Sequence, residues 1–495
     1  MAWFSGPRDP CLGTSALPLM GGSGRVILQI KVLRKSSSSP RTRKRKAEEP
    51  PTHPGVVVVV VGAGEEDGVD RVSNLSDDNL RKVISFLPMK DGACTTMLAS
   101  RWRHLWCSAP LNINCRDLRA GAVAQILDSR LDPVRSITIF PESLIDPTPT
   151  LDDLLQSTAL DKLEELDLWY HVQLAPPKTP PSSAFRFSPT LRVLTIRACC
   201  LPDGSIQGLH FPVLKQLELK MVTLSGDSLR YMVASCCPAL KWLLLDSCSG
   251  FASILINSLS LVSIRVCTFR YDGMFMFEEL IIESAPSLRR LLMHGRGMGK
   301  RVSVISAPKL EAMRCIVDKE QQPATKISFS SMVIQGLQVD NLMLAVRTVR
   351  ILSLEMDPLS LDIVLNWLRC FPCLEKLYIQ ATGSGGTNLW RRKYKNLTRC
   401  LDIPLKTIAM ETYRGIKSHV SFVTFFVLNV TGLESITLSI RAVDNTEEFL
   451  TEQRIKLELD NNDARLHFTT HSCVRTTWDI LSARDLDLAD PLAVI

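Results

Sequence analysis

The feature that most constrains this 495-residue chain is a short apolar pattern that recurs along most of its length. The pattern is L-x-x-L-x-L with conservative apolar replacements, and it occurs thirteen times between residues 134 and 438. Successive units start 19 to 31 residues apart, which predicts one structural unit repeated many times. The units begin at Val134, Leu163, Leu191, Leu214, Leu240, Leu261, Leu288, Leu310, Phe329, Val349, Leu374, Leu405 and Leu433.

These spacings are typical of leucine-rich repeats, which recur every ~20–29 residues. Six units have a proline two positions before the first apolar residue, which favours extended backbone at the start of a strand. Each unit therefore predicts one short strand of a curved parallel sheet, with its leucines pointing into the core of a solenoid. Because each repeat buries its apolar face only against its neighbours, many repeats are needed. The predicted fold class is an α/β leucine-rich-repeat solenoid.

Side chains alternate across a strand, so those between the inward leucines should face the concave side of the sheet. Aromatic residues and arginines there are typical of protein recognition. A solvent-facing side chain without a ligand is the alternative at each position. The candidate contacts to an unknown target protein are Trp169, Arg197, Trp242, Arg265, Arg290 and Tyr378.

A helical segment precedes the repeats, between Asp70 and Trp106. Ser76 is a predicted N-cap, and Pro88 lacks the N–H that a continuing helix needs. Two apolar stripes at helical spacing are predicted. They are Leu80, Val83, Ile84 and Leu87 in the first, and Cys94, Met97, Leu98, Trp102 and Leu105 in the second. Helices this short cannot bury both stripes alone, so part of the surface needs an outside cover.

This segment resembles an F-box, which implies docking on a Skp-type adaptor and, through it, on a cullin ubiquitin ligase. Two departures are Ser76, where the family has proline, and Gly92, which costs about 1 kcal/mol in a helix relative to alanine. An ordinary helical hairpin in a larger core is the alternative. The implied adaptor-binding residues are Leu75, Leu80, Val83, Ile84, Leu87, Pro88, Asp91, Trp102 and Leu105.

The carboxyl-terminal part carries a second resemblance, to the FBD domain of plant F-box proteins. It covers Leu405 to Leu438, where a Tyr413-Arg-Gly415 turn precedes an apolar helix, and the tail as far as Pro491 is similar to grass members. The predicted domains are a disordered basic tail at 1–69, an F-box at 70–118, leucine-rich repeats at 119–400, and an FBD domain and cap at 401–495.

The net charge of +7 does not favour nucleic-acid binding by the body of the chain. Residues 1–46 carry +9, so the remaining residues sum to −2 and supply no global field for nucleic acid. The basic run at 41–46 is either a nuclear import signal or a solvated tail, and we expect a nuclear or cytoplasmic protein. The valine run at 56–61 is too short to span a bilayer, which needs ~20 residues, so no membrane partner is predicted.

The sequence offers no catalytic or metal-binding arrangement. Cys370 and Cys373 have CxxC spacing without a second such pair, and the eight histidines are scattered. No cofactor, metal or active site is therefore predicted. The resemblance implies a non-catalytic substrate receptor of a ubiquitin ligase. The alternatives are a repeat-based scaffold or decoy that no longer binds the adaptor, and a nucleic-acid-binding protein acting through its basic tail.

Overall fold

The computed structural model describes three strands within residues 16–61 and then residues 75–471. Gaps in this description fall at 88, 117, 131, 142–149, 172–177, 268–277, 295–300, 319–325, 330–331, 336–337, 341–345, 382–403 and 458–464. The basic run at 41–46, Pro88 and the tail beyond 471 therefore lie outside the described residues.

The strands of the described residues are numbered in chain order. They are β1 (Ala16–Leu19), β2 (Val26–Leu33), β3 (Val57–Val61), β4 (Asn112–Asn114), β5 (Ser136–Ile139), β6 (Glu165–Trp169), β7 (Val193–Arg197), β8 (Gln216–Lys220), β9 (Trp242–Asp246), β10 (Ser253–Asn257), β11 (Ser263–Cys267), β12 (Glu279–Ser284), β13 (Arg290–His294), β14 (Arg301–Val304), β15 (Ala312–Asp318), β16 (Lys326–Phe329), β17 (Met332–Gln335), β18 (Gln338–Asp340), β19 (Ile351–Asp357), β20 (Lys376–Ala381), β21 (Thr407–Glu411), β22 (Ser435–Arg441) and β23 (Leu466–His471).

The α-helices of the same residues lie mainly at the two ends of the solenoid. They are α1 (Asp77–Phe86), α2 (Met89–Thr95), α3 (Ser100–Ser108), α4 (Ala120–Asp128), α5 (Leu151–Leu155), α6 (Asp203–Ile206), α7 (Gly226–Tyr231), α8 (Leu361–Cys370), α9 (Lys417–Asn429) and α10 (Glu447–Lys456).

A parallel sheet of 14 strands confirms the predicted solenoid. Its order is β23-β22-β21-β20-β19-β15-β13-β11-β9-β8-β7-β6-β5-β4, so successive repeats lie side by side. The second and fourth positions of each strand, such as Leu166 and Leu168 in β6, point inward and are buried. Each buried leucine contributes about 1.5–3 kcal/mol, and each is covered by equivalent residues of adjacent repeats.

Twelve of the thirteen predicted repeat strands are confirmed, and the unit at Phe329 is wrong. Strand β15 pairs directly with β19, so nothing from residues 326–340 enters the large sheet. Phe329 instead ends β16, which pairs antiparallel with β17. An apolar spacing does not specify which sheet a strand joins, because pairing is decided by neighbouring strands.

Both ends of the sheet extend beyond the predicted repeats. Strand β4 pairs with β5, although Asn112–Asn114 lies in the segment predicted as F-box. Strand β23 pairs with β22 at the other end. The region that resembles an FBD domain thus supplies β21, β22 and β23 to the same sheet, and α9 is the helix expected there.

Two further sheets were not predicted. A six-stranded sheet runs β10-β12-β14-β16-β17-β18, in which the first four strands pair in parallel. It alternates in sequence with β11, β13 and β15, so the middle repeats contribute one strand to each sheet. The second is an antiparallel sheet of β1, β2 and β3 within residues predicted to be disordered. The valines of β3 and the apolar residues of β2 have high β-propensity, which accounts for the pairing.

Among the described residues, four strands of the large sheet are followed directly by a non-glycine residue in the left-handed conformation, one of them Thr412 (φ 60°) after β21. Ala198, Met221 and Ser247, with φ between 51° and 54°, directly follow β7, β8 and β9. The N–H of Ala198 donates to the carbonyl of Lys220 in the next repeat, and Met221 donates likewise to Asp246. This conformation is unfavourable for a non-glycine residue by about 1–2 kcal/mol, and the hydrogen bonds to the next repeat offset part of that cost.

The turn before α9 is held by a close contact. Gly415 has φ +63°, and a Cβ there would lie 2.6 Å from Gln453 Oε1. The hydroxyl of Tyr413 donates to the same buried oxygen at 3.0 Å. The predicted Tyr413-Arg-Gly415 turn therefore connects the last part of the sheet to α10.

Candidate protein-docking surfaces

The first candidate surface is formed by α1, α2 and α3. Helix α1 begins as predicted, because Ser76 is its N-cap and Ser76 Oγ accepts from the N–H of Asn79 at 3.4 Å. Asp77 and Asp78 occupy the first turn, where negative charge suits the helix dipole. Arg101 of α3 pairs with Asp77 at 2.6 Å and so ties α1 to α3.

Four of the predicted adaptor contacts are core residues. Leu80, Ile84, Trp102 and Leu105 are buried in the same apolar cluster as the solenoid. A side chain in this position cannot contact a partner directly, which corrects its predicted role. These four residues instead hold the three helices against the repeats.

The other five predicted contacts lie nearer the surface or outside the description. Val83, Leu87 and Asp91 are half-buried, and Leu75 packs against the main core while remaining partly exposed. Pro88 lies outside the described residues. The second apolar stripe also differs from the prediction. Because α2 ends at Thr95, Met97 and Leu98 fall in a turn and are 61% and 44% exposed.

The glycine in α2 has a packing reason. A Cβ at Gly92 would lie 2.5 Å from Cζ3 of Trp106, so any larger side chain would displace the ring. The sequence shows only the unfavourable helix propensity of glycine, whereas the close approach of Trp106 depends on the contact between α2 and α3.

The second candidate surface is the concave face of the large sheet. At its amino-terminal end, one row of side chains crosses the strand ends. Phe140 and Trp169 stack with ring centroids 5.1 Å apart, and the guanidinium of Arg197 lies 4.5 Å from the Trp169 ring centroid. The guanidinium of Arg116 lies 5.4 Å and 5.6 Å from the same two rings. Arg116 was not predicted as a contact because it lies outside the repeat units. Phe140 was missed although it directly follows its unit, as Trp169 does.

A polar cavity of about 290 Å³ lies beside this row, on β5 to β8. Arg197 Nη2 donates to Asp167 Oδ2 at 3.0 Å, and Lys220 pairs with Glu218 at 3.1 Å. Burial raises the pKa of Asp167 above its ordinary value, and the charge of Arg197 offsets part of this rise. The lining residues are Ser136, Thr138, Glu165, Leu166, Asp167, Val193, Thr195, Arg197, Glu218 and Lys220.

The centre of the concave face is closed. Arg265 is buried beside Leu244 and Leu292, which flank it on the neighbouring strands β9 and β13. Leu244, Leu292 and Tyr378 form a second apolar cluster, against which Trp242 packs. Arg265 and Tyr378 are therefore interior residues in this conformation, which corrects their prediction as target contacts.

A charged group lies in the same central stretch. Arg314, only 2% exposed, donates to Gln380 Oε1 at 2.6 Å and lies 3.6 Å from Glu355. His294 Nδ1 lies 3.3 Å from the same carboxylate oxygen, Glu355 Oε2. Burial raises the pKa of Glu355, but the hydrogen bond from His294 and the charges of His294 and Arg314 outweigh it, so the net pKa is below the ordinary value.

The remaining predicted target contacts keep some exposure. Trp169 and Arg197 are half-buried at the amino-terminal end, and Trp242 and Arg290 are half-buried nearer the centre. The structure thus places Trp169 and Arg197 together, with the guanidinium 4.5 Å from the ring centroid, and at least one strand separates them from the other four.

Thiol and metal chemistry find little support in the described part of the chain. Burial raises the pKa of Cys199, Cys248 and Cys370 to about 12, so these thiols stay protonated near neutral pH. No group of three metal-ligating side chains occurs among the described residues. Within the same residues, no helix is long and apolar enough to cross a bilayer.

The fold and the two surfaces define a leucine-rich-repeat protein with an amino-terminal helical segment. A family model for the repeats of the FBD-associated F-box protein At5g56370 matches residues 151–379. The F-box/LRR-repeat protein At3g18150 of Arabidopsis thaliana is 31% identical over 206 residues, which is 41% of this chain and 43% of that protein. The F-box/FBD/LRR-repeat protein At5g56420 of the same plant is 26% identical over 246 residues, 45% of this chain and 54% of that protein.

These similarities support the F-box/FBD/LRR-repeat family, which the two resemblances in the sequence predicted. The chain spans about half the length of the curated relatives that it matches.

Proposed function

We propose that this chain is the non-catalytic substrate-recognition subunit of a Skp–cullin–F-box ubiquitin ligase. In this proposal α1 to α3 dock on a Skp-type adaptor, which links the chain to a cullin. The concave face of the sheet holds a target protein. Transfer of ubiquitin is then accelerated by proximity, because binding raises the effective concentration of the target's lysines near the loaded enzyme.

The observation that carries this proposal is the apolar surface left on the helical segment after its core residues are accounted for. Leu80, Ile84, Trp102 and Leu105 are covered by the chain itself, yet Met97 and Leu98 stay exposed in adjacent positions. Large apolar side chains exposed next to each other are typical of protein contact sites, particularly beside half-buried residues such as Val83.

A rigid connection between the two surfaces also supports the proposal. Arg130 Nη1 donates to the carbonyl of Trp106 at 2.5 Å, and its Nη2 donates to the carbonyl of Ala109. Asn112 of β4 donates to the carbonyl of Ser85 in α1 at 3.2 Å. Such contacts hold the helical segment in one orientation on the solenoid, so a bound target would be presented at a fixed distance from the adaptor.

The scaffold or decoy alternative rested on Ser76 and Gly92. Both have structural roles here: Ser76 caps α1, and Gly92 makes room for Trp106. The two departures from the family pattern are therefore compatible with a folded F-box, and we favour the receptor.

Replacing an exposed apolar residue by aspartate tests the adaptor surface. For Leu98→Asp we expect at least about a tenfold weaker affinity for a plant Skp-type adaptor, measured by isothermal titration calorimetry, because a buried unpaired charge is unfavourable in an interface. Leu259→Asp is the matched control, since Leu259 is also exposed but lies in the solenoid between β10 and β11.

Both variants should keep the circular dichroism spectrum and melting temperature of the wild-type chain. Equal adaptor affinity for the wild type and Leu98→Asp would contradict docking at this surface. Absence of any adaptor binding by the wild-type chain would favour the scaffold or decoy.

A further inference from the structure

The concave face is closed in its centre and accessible towards both ends, since Ala409, Thr437 and His467 on β21 to β23 also keep some exposure. On β5 to β7 the side chains of Thr138, Asp167 and Arg197 are partly exposed and border the 290 Å³ cavity, and Trp169 beside Arg197 is also partly exposed. In the equivalent positions of β8 to β15, His294 is half-buried and the other described side chains are buried. The buried side chains are Glu218, Lys220, Leu244, Asp246, Arg265, Cys267, Leu292 and Arg314. A target that approaches the folded chain can therefore reach the amino-terminal end without displacing anything.

The amino-terminal end of the concave face presents a row of aromatic and cationic side chains. We name this row the amino-terminal surface, and its residues are Arg116, Phe140, Trp169 and Arg197. Strand register aligns Trp169 with Arg197, and Arg116 and Phe140 each lie two residues beyond the paired Asn114 and Thr138. The row therefore crosses β4 to β7 without interruption. Aromatic residues and arginine are the residue types that dominate binding energy in protein interfaces.

The charged side chains at the amino-terminal end differ in whether a side chain of opposite charge lies beside them. Each carboxylate of the cavity has a cation of the chain beside it: Asp167 has Arg197 at 3.0 Å, Glu218 has Lys220 at 3.1 Å, and Glu165 has Arg135 at 3.6 Å. Arg116 is different. It is exposed, and its contacts within the described residues are to the rings of Phe140 and Trp169, with no carboxylate.

The geometry of Arg116 favours an anionic partner. A guanidinium held near aromatic rings is restrained in position, while its N–H donors lie in the guanidinium plane and stay available. The planar fork of these donors matches a carboxylate, and the pair is a charge-assisted hydrogen bond that is stronger than a neutral one. Because the cavity carboxylates are already paired, an acidic ligand at Arg116 does not meet an uncompensated negative charge.

We propose that the target of this chain docks on the amino-terminal surface through an acidic peptide segment, with an Asp or Glu carboxylate paired to Arg116. The neighbouring residues of that segment lie over Trp169 and the adjacent cavity, whose hydroxyls on Thr138 and Thr195 accept or donate hydrogen bonds. This proposal rests on the proposed function, because it names the kind of partner that the concave face receives.

The test begins with selection from a phage-displayed library of random peptides on the full chain. We expect the selected peptides to be enriched in Asp and Glu. Their affinity, measured by fluorescence anisotropy, should fall about tenfold for Arg116→Gln, and also when the acidic residue of the peptide is changed to its amide. The two changes together should weaken binding no further than either alone, since they remove the same contact.

Arg290→Gln is the matched control, because Arg290 is a half-buried arginine of the concave face that lies on β13. It should leave peptide affinity within about twofold. A selection without acidic peptides, or peptides whose binding is insensitive to Arg116→Gln, would overturn the proposal, as would a larger effect of Arg290→Gln. Adaptor affinity is measured on the same preparations. If the wild-type chain does not bind the adaptor, the proposed ligase role is refuted, and the result on peptide binding still stands.

Discussion

The amino-terminal end and the centre of the concave face are built from the same repeat, yet they differ in accessibility. At the amino-terminal end the Asp167–Arg197 pair keeps about a fifth of each side chain exposed. On the adjacent strand β8, where the buried centre begins, the Glu218–Lys220 pair is almost completely buried. Two ion pairs of nearly equal length thus have different energetic roles, because the dielectric surroundings decide what each contributes. The residue types present on a solenoid face do not by themselves identify where a partner binds.

The largest effect should come from breaking the buried pair. Glu218→Ala leaves the ammonium of Lys220 buried without its carboxylate, and we expect a loss of about 3–5 kcal/mol in the free energy of unfolding by urea. The double variant Glu218→Ala, Lys220→Met should recover most of the loss. A loss below about 1 kcal/mol in the single variant would show that the centre is as solvated as the amino-terminal end.

An apolar truncation in the centre should have the next largest effect. Leu244 lies on the concave face but is fully buried in the cluster with Leu292 and Tyr378, so Leu244→Ala should destabilise by about 2–5 kcal/mol. Thr138→Ala, in the same row on β5, is the control and should change stability by less than about 0.5 kcal/mol. Equal effects at the two positions would remove the distinction between the regions.

Acidification should affect the two regions with opposite sign. The pKa of Glu355 lies below its ordinary 4.5, so its contribution to stability is present above that pH and is lost as the pH falls through the folded-state pKa. Burial raises the pKa of Asp167 above 3.8, so the folded state binds that proton more tightly and gains stability on acidification.

Urea unfolding midpoints between pH 3 and 6 would measure this difference. Relative to the wild type, Glu355→Gln should lose less stability as the pH falls below about 4.5, and Asp167→Asn should lose more. Parallel pH profiles for the three proteins would mean that neither carboxylate has a different pKa in the folded and unfolded states.

The smallest expected effect is at the partly exposed pair. Asp167→Ala should destabilise by at most about 1 kcal/mol, because exposed ion pairs contribute about 0–1 kcal/mol. Chemical denaturation in low and high salt is the appropriate measurement. Any loss should shrink at high salt, since exposed charges are screened. A loss as large as that of Glu218→Ala would show that Asp167 is effectively buried.

Much of the fold was predictable because repeat spacing and alternation are local properties. Twelve repeat strands, the N-cap at Ser76 and the helix after Gly415 follow from residues a few positions apart. The unit at Phe329 was wrong, because its apolar spacing was correct but its strand pairs within the smaller sheet. Strand β4 was missed since its three residues carry no repeat pattern of their own.

The candidate sites were less predictable for the same reason. Arg265 and Tyr378 have the residue types of a contact surface, and only their burial excludes them from direct contact in this conformation. Arg116 lies outside every repeat unit, and it enters the candidate site because β4 brings it beside Phe140 and Trp169.

The amino-acid sequence alone determined that this chain is a repeat solenoid with a helical segment at one end, because leucines at regular spacing must share a continuous core. It also indicated the family that the similarities support, through motifs a few residues long. Tertiary structure decided which apolar residues of α1 to α3 are interior, which strands form the second sheet, and which parts of the concave face are accessible. These properties depend on contacts between residues far apart in the chain, and spacing along the sequence does not encode such distances.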